Sequence, residues 1–339
     1  MRYLFFMLLL AQVDAVAQGF SQINQTPLLY HGSFAGATGG GRLAWVSNVT
    51  SYKTTPQTYR SFNSYLSYDN LWKGLGYGIS FLNNTAKGTD PFVSYYGPDR
   101  YLPKSSYAGN LHLSTKHVFF HSNTGETKYT LSPSLSLGYT QSHSQVENRG
   151  STNPPYITTH KTAHITIGVL LNTRYGYFGV SYKNAYQTAI QNYAVYPTYG
   201  PWSMQVVYEE SKTTTLIPTF SFVFAQTLSS REKNSLFSLT PSGYISFVSY
   251  YKRPENYSGK TISSGAYCFN LTATIWKIYF GMGTTNTIDT KYNLFGGFKN
   301  DRFRTGIGYG WGALPAPQGF YELSFSYFFK PHIERNLSK

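Results

Sequence analysis

The sequence predicts an all-β protein: a transmembrane antiparallel β-barrel of about fourteen strands, preceded by a cleaved signal peptide. Three observations support this prediction: strands with two distinct faces, connections that are alternately long and short, and an apolar leader with no later transmembrane helix. Outer-membrane barrels combine an apolar outer face with a polar interior, and they have long external loops and short periplasmic turns.

The last predicted strand, residues 318–329, shows the two faces most clearly. Successive side chains of a strand point to opposite faces, so strict alternation over such a stretch indicates a strand with one apolar and one polar side. The apolar set is Tyr321, Leu323, Phe325, Tyr327 and Phe329, and the polar set is Glu322, Ser324 and Ser326. Taken alone, this segment also fits an edge strand of a soluble β-sandwich.

The composition favours a single all-β domain. The chain has 339 residues with 32 Tyr, 24 Phe and 31 Gly, and only 12% of its residues are charged. Disordered chains are poor in aromatic residues and rich in charge, so this composition argues against disorder. The net charge of +14 is scattered along the chain, which fits solvated loops or attraction to an anionic partner such as lipopolysaccharide. An exported chain without a basic run gives no indication of nucleic-acid binding.

The N-terminus has the pattern of a secretory signal peptide. Arg2 supplies the basic start, residues 3–10 the apolar core, and Ala15-Val16-Ala17 the small-residue cleavage site. A transmembrane helix needs about 20 apolar residues, and no stretch of the chain supplies them, so a membrane-spanning form must be a barrel. We expect a signal peptide at 1–17, an N-terminal periplasmic segment at 18–41, the barrel at 42–329 and a tail at 330–339.

The other strands are predicted from the same alternation. It is clear at residues 74–83, where glycines alternate with large apolar residues, and at 129–140, where leucines alternate with serines. An even number of strands is the rule in bacterial barrels, and it leaves both termini on the periplasmic side of the outer membrane. The predicted strands are residues 42–50, 58–68, 74–83, 107–120, 129–140, 163–171, 177–183, 214–226, 236–250, 261–271, 274–283, 287–297, 302–311 and 318–329.

The connections between these strands are mostly long and short in turn. The long ones include residues 84–106, 141–162 and 184–213, and the short ones include 69–73 and a tight junction at 272–273. A soluble sandwich has no reason for this alternation, whereas an outer-membrane barrel has long loops outside and short turns in the periplasm. The connections therefore favour the barrel.

Arg304 is a candidate residue of the barrel lumen. In the strand 302–311, Arg302 and Arg304 share a face with three glycines, opposite an aromatic face. An arginine on the lipid-facing side costs about 2–4 kcal/mol at the membrane midplane. We therefore expect Arg304 to point into the lumen, although an arginine close to the interface can also extend its charged end to the water.

The chain lacks the common sequence motifs of catalysis and of cofactor binding. The chain contains no H-E-x-x-H, G-x-S-x-G or Walker motif. Cys268 is the only cysteine, so the chain has neither a disulfide framework nor a thiolate metal site. His117 and His121, like His160 and His164, share a strand face, but four strand residues span about 13 Å. We expect no catalytic residues, no cofactor and no metal; an outer-membrane enzyme is the weakest alternative.

The segment after the leader resembles a known family. Phe20-Ser21-Gln22, Pro27-Leu28 and Phe34-Ala35-Gly36 follow in the order found at the start of the PorP/SprF family, outer-membrane proteins of the type IX secretion system in Bacteroidetes. Residues 31–36 stand where the family usually has a stretch containing Asn-Pro-Ala. Shorter similarities recur at residues 67–69, 74–78, 131–135, 177–181 and 321–329.

This resemblance implies an outer-membrane component of the type IX secretion and gliding machinery. Such a protein would bind or anchor secreted or surface proteins and would catalyse no reaction. The implied partners are other type IX components, secreted proteins with C-terminal sorting domains, and outer-membrane lipids or lipopolysaccharide. A passive or substrate-specific outer-membrane channel is the alternative function.

The longest predicted connection, residues 184–213, is the candidate partner-binding loop. Tyr and Trp are enriched in the cores of protein interfaces, and loops on a rigid scaffold commonly carry binding. A loop that packs on itself and caps the barrel mouth is the alternative, because Tyr and Trp also anchor loops at membrane interfaces. The candidate contact residues are Tyr193, Tyr196, Tyr199 and Trp202.

Overall fold

The computed structural model of the protein is a closed antiparallel β-barrel with 14 strands, which confirms the predicted fold class. Within the described part of the chain, no helix is long and apolar enough to cross a membrane. The predicted signal peptide at 1–17 and the tail at 330–339 lie outside the described residues. The structure describes residues 26–54, 57–87, 100–101, 104–121, 127–147, 156–173, 175–194, 208–229, 237–250, 262–286, 290–312 and 318–329.

Each strand of the barrel pairs antiparallel with its neighbours in the sequence. A short helix, α1, and one 3-10 turn precede the barrel. The strands are β1 Arg42–Thr54, β2 Gln57–Trp72, β3 Leu75–Lys87, β4 Lys104–Thr115 continued by His117–His121, β5 Thr127–Glu147, β6 Tyr156–Thr173, β7 Gly176–Ala194, β8 Tyr208–Gln226, β9 Phe237–Tyr250, β10 Ile262–Ile275, β11 Ile278–Asn286, β12 Thr290–Lys299, β13 Phe303–Gly312 and β14 Gln318–Phe328; the preceding elements are α1 Pro27–Tyr30 and the 3-10 turn Gly32–Phe34, and two-residue strands lie at Arg100–Tyr101 and Leu228–Ser229.

The barrel closes where the last strand meets the first. β14 pairs with β1 from Phe328 opposite Arg42 to Gln318 opposite Tyr52, and with β13 on its other side. The N–H of Phe329 adds a hydrogen bond of 2.8 Å to the carbonyl of Gly41. Among the described residues, every barrel strand thus pairs with a neighbour on each side, so the sheet closes on itself.

Side-chain exposure along β14 separates the two faces of the wall. Tyr321 and Leu323 are 65% and 54% exposed, whereas Glu322 and Ser324 between them are 1% and 5% exposed. The same contrast separates Leu135 from Ser136 on β5, so the predicted faces are confirmed. The exposed apolar face is the outer surface, and the face rich in Ser, Thr, Asn and Gly lines the lumen.

Short turns join the strands at one end of the barrel, which we call the short-turn end. Lys73 and Gly74 both have positive φ angles, 47° and 82°, as a two-residue type I′ turn requires. The predicted junction at 272–273 is wrong, because both residues lie inside β10. The chain turns instead at Trp276 (φ 54°) and Lys277, a pair without the glycine or asparagine that usually marks such a turn.

The opposite end, the long-connection end, carries the longer segments between strands. The strands run further towards it than the sequence predicts: β7 and β8 stay paired up to Ala194 opposite Tyr208. The predicted loop at 184–213 is therefore shortened to 195–207. Tyr193 lies in β7, whereas the other candidate contact residues, Tyr196, Tyr199 and Trp202, lie outside the described residues.

Deleting residues 321–339 should prevent barrel assembly, because it removes most of the strand that pairs with both β1 and β13. Deleting only residues 331–339 removes none of this pairing and should leave the barrel intact. The measurement is the change in gel migration on heating in detergent, which folded barrels show and unfolded ones do not. A heat-sensitive band from the larger deletion would contradict the closure described here.

Candidate functional site in the barrel lumen

The segment that precedes β1 lies inside the barrel. We call residues 26–41 the lumen plug. Its helix and 3-10 turn pack against the inner faces of β3, β4, β5 and β6. The sequence suggests a periplasmic segment at 18–41; of its described part, residues 26–36 are enclosed by the wall, whereas Ala37 and Thr38 are exposed. The buried plug residues include Thr26, Leu28, Tyr30, His31, Ser33, Phe34 and Ala35.

A buried carboxylate joins the plug to the wall. Asp69 Oδ2 accepts a hydrogen bond of 2.8 Å from Arg42 Nε and lies 2.6 Å from Arg42 Nη2. Its other oxygen, Oδ1, accepts the N–H of Gly36 at 3.1 Å. Asp69 is fully buried and Arg42 is 6% exposed, so each charge depends on the other. The Asp69 side chain thereby holds both the backbone just after the plug's 3-10 turn and the start of β1 against β2.

A row of glycines on β3 makes room for the plug. The Ser114 hydroxyl donates a hydrogen bond of 2.7 Å to the carbonyl of Ala35. A Cβ atom at Gly76 would overlap that carbonyl oxygen, and one at Gly78 would come within 3.1 Å of the Leu28 side chain. Glycine at both positions thus lets the plug approach the strand closely.

His31 is held in its neutral form at the centre of the plug. Its Nδ1 accepts the N–H of Ser33 at 3.2 Å, so Nε2 carries the proton and donates to the carbonyl of Val180 at 3.0 Å. Burial lowers the pKa of His31 to about 4. Both ring nitrogens are used in this arrangement, and a second proton on Nδ1 would face the N–H of Ser33.

Aromatic contacts fix the rest of the plug. The Tyr30 ring lies 4.9 Å from the Tyr244 ring, and the Phe34 ring meets Tyr177 edge-on at 4.8 Å. These are favourable aromatic geometries. The plug and the wall share one apolar cluster. The plug contributes Leu28, Tyr30, Phe34 and Ala35, and the wall contributes Leu170, Val223 and Cys268.

A cavity lined by both polar and apolar side chains continues the lumen from the plug towards the long-connection end. Plug residues 28–32 form its floor. On one wall a hydrogen-bonded chain runs from Asn110 through Ser80 and His112 to Ser136, with distances of 3.2, 3.0 and 2.8 Å. The other polar residues that line it include Thr140, His164, Thr166, Ser181, Lys183, Thr219, Ser221 and Ser246.

Sequence reasoning did not select these cavity residues. Lys183 stands at the end of a predicted strand, and His164 was considered only as one member of a metal pair. Both belong to the inner face, and their common parity with Ser181 and Thr166 is the signal that could have identified them. Among the described residues, no group of three or more His, Cys, Asp or Glu could hold a metal ion.

Arg304 lies near the short-turn end, among residues of the inner face. Its guanidinium carbon is 4.3 Å from the centre of the Tyr279 ring, a cation–π contact. In the strand register it stands opposite Ser326, which is 2% exposed. β7 reaches Tyr193 at the opposite end of the barrel, so the structure does not bring the two sequence-predicted sites together.

The fold is similar to that of solved outer-membrane barrels. The toluene transporter TbuX of Ralstonia pickettii shares 9% identity over 92% of this chain and 94% of its own, with a TM-score of 0.50. TodX of Pseudomonas putida, also a toluene transporter, shares 10% identity over 93% and 92%, with a TM-score of 0.47. The translocator domain of the autotransporter NalP of Neisseria meningitidis shares 10% identity over 86% of this chain and 88% of its own, with a TM-score of 0.40.

This chain has the fold of an outer-membrane β-barrel. The likeness to TbuX, at 9% identity, concerns the fold alone. No family model matches the chain, and no curated protein matches it. Any function must therefore be argued from the lumen, the connections and the sequence motifs of this chain.

Replacing Gly76 by Ala should dislodge the plug, since the new methyl group would overlap the Ala35 carbonyl oxygen. We expect a lower thermal midpoint, a loss of about 1–3 kcal/mol of stability, and faster proteolysis within residues 26–41. Gly109→Ala is the matched control, because its Cβ would meet the Phe81 ring at 3.6 Å, an ordinary contact. Equal behaviour of the two variants would contradict the proposed seating of the plug.

Proposed function

We propose that this protein is a closed outer-membrane scaffold of the type IX secretion and gliding machinery, which binds or anchors secreted or surface proteins and catalyses no reaction. Its partners would be other type IX components, secreted proteins with C-terminal sorting domains, and the surrounding outer-membrane lipids and lipopolysaccharide. In this proposal both termini lie on the periplasmic side.

The lumen plug is the observation that supports a scaffold over an open pore. It is wedged against four strands, and it is tied to the wall by the buried pair Arg42–Asp69, by the Ser114 bond to Ala35 and by His31. A tightly packed segment inside the lumen would block passive diffusion through the barrel. The resemblance to PorP/SprF supports the choice of machinery and includes residues 34–36 of the plug itself.

The partner would meet the barrel at one of its two ends. Long segments between strands gather at one end, with 195–207 joining β7 to β8 and 251–261 joining β9 to β10. The first of these contains two of the candidate tyrosines and Trp202, residue types that favour interface cores. We assign binding of the exported protein to residues 195–207.

A substrate-specific channel is the second candidate function, favoured by the cavity that lies above the plug. In that case the plug would have to move during transport. The cargo named for TbuX is not carried over to this chain. Polar residues such as Ser181 and Lys183 line the cavity here together with apolar ones such as Leu28, Leu82 and Tyr244.

Replacing residues 195–207 by a short Gly/Ser link should leave the barrel folded and abolish surface retention of the exported protein. The reason is that the change spares all described pairing of β7 with β8. The same replacement of residues 251–261 is the control and should retain the protein at the surface. Cell-surface labelling of the cargo is the measurement, with heat-dependent gel migration as the test of folding. Normal retention by the first variant would contradict the assignment.

The purified wild-type protein should give no stable channels in a planar lipid bilayer, because the plug packs against four strands inside the lumen and obstructs it. The Gly76→Ala variant should show intermittent conductance as the plug loosens, and Gly109→Ala should behave as the wild type. Steady conductance of the wild-type protein, blocked by a particular solute, would favour the channel over the scaffold.

A further inference from the structure

The cavity above the plug carries a positive charge without a described partner. Lys183 lines it together with His112 and His164. Among the described residues, those that line the cavity include no Asp or Glu, and no acidic side chain forms an ion pair with Lys183. An ammonium group removed from bulk water without a counter-charge is costly, so its surroundings favour an anion.

A second polar group in the same cavity lacks a partner. His164 is 9% exposed, and its Nδ1 is buried without a hydrogen-bond partner among the described residues. On the neighbouring strand Lys183 stands opposite Thr166, two residues from His164 on the same face of β6. A buried ring nitrogen left unpaired costs free energy unless water or a ligand meets it.

The neighbouring positions hold His164 in place and add donors. Gly138 stands opposite His164 and lets its ring and the Asn110 amide lie against the strand, because a Cβ there would overlap both. Thr166 and Ser181 add hydroxyl groups that donate to an acceptor. An ammonium, an imidazole, an amide and hydroxyls together supply many donors and no fixed negative charge.

We propose that this cavity binds an oxyanion, a carboxylate or a phosphate, on a molecule that enters from the long-connection end. Lys183 supplies the counter-charge, and His164 and Thr166 donate hydrogen bonds to the anion oxygens. Charge-assisted hydrogen bonds of this type are about twice as strong as neutral ones. The site does not depend on the type IX proposal, since a scaffold and a channel could both hold such a ligand.

The test uses the full-length mature protein in a neutral glycoside detergent. Isothermal titration at constant ionic strength with sodium phosphate and, separately, with sodium acetate measures the anion directly. We expect saturable binding of at least one of the two anions. The anion with the higher affinity identifies the class of oxyanion that the cavity binds. Failure of both anions to bind the folded wild-type protein would overturn the proposal.

Lys183→Met should weaken the binding by about tenfold or more, the usual effect of losing a charged hydrogen-bond partner. Lys183→Arg keeps the charge and should retain most of the affinity. Lys277→Met is the matched control, because it removes one lysine from an exposed turn beside Trp276. Each variant is first checked for heat-dependent gel migration, and Thr166→Val replaces Lys183→Met if the latter does not fold. Unchanged affinity in the folded cavity variant would also overturn the site.

Discussion

The pairing of β14 with β1 is the constraint on which the rest of the molecule depends. Inside a membrane the backbone groups have no water to bond, so a sheet can cross only as a closed ring. Because the barrel closes here, Gly41, the residue just before β1, lies at the rim of the short-turn end. Its carbonyl accepts a hydrogen bond from the N–H of Phe329. The preceding residues must then either leave the barrel or fold back into it, and the bond from Gly36 to Asp69 directs them inwards.

The width of the barrel explains why an inward segment is stabilised. About eight strands make a ring that side chains alone can fill, and 14 strands leave a gap. The plug fills part of this gap with Leu28, Tyr30 and Phe34. The inner wall is rich in hydroxyl groups and glycine, and it also carries apolar residues. Leu170 and Val223 belong to the cluster around the plug, and Val46, Tyr65, Leu82 and Ala108 form a second apolar cluster.

The sequence was a good guide wherever lipid and lumen impose opposite demands on neighbouring residues. This is why the faces of β14 and the number of strands could be predicted. It was a poor guide at Trp276, which takes a positive φ angle without being a usual turn residue, and at the ends of β7 and β8, where pairing continues through polar sequence. The plug could not be placed from its own residues, because its partners come from four strands distant in sequence.

Arg42 and Lys183, two cations of the inner face, differ in their surroundings. Arg42 has the Asp69 carboxylate near the short-turn end, so its charge is used in holding the barrel together. Arg304, near the same end, lies over the face of the Tyr279 ring. Lys183 lies on the other side of the plug, in a cavity with no acidic residue among the described ones that line it. The surroundings of Lys183 therefore leave its charge available to a ligand.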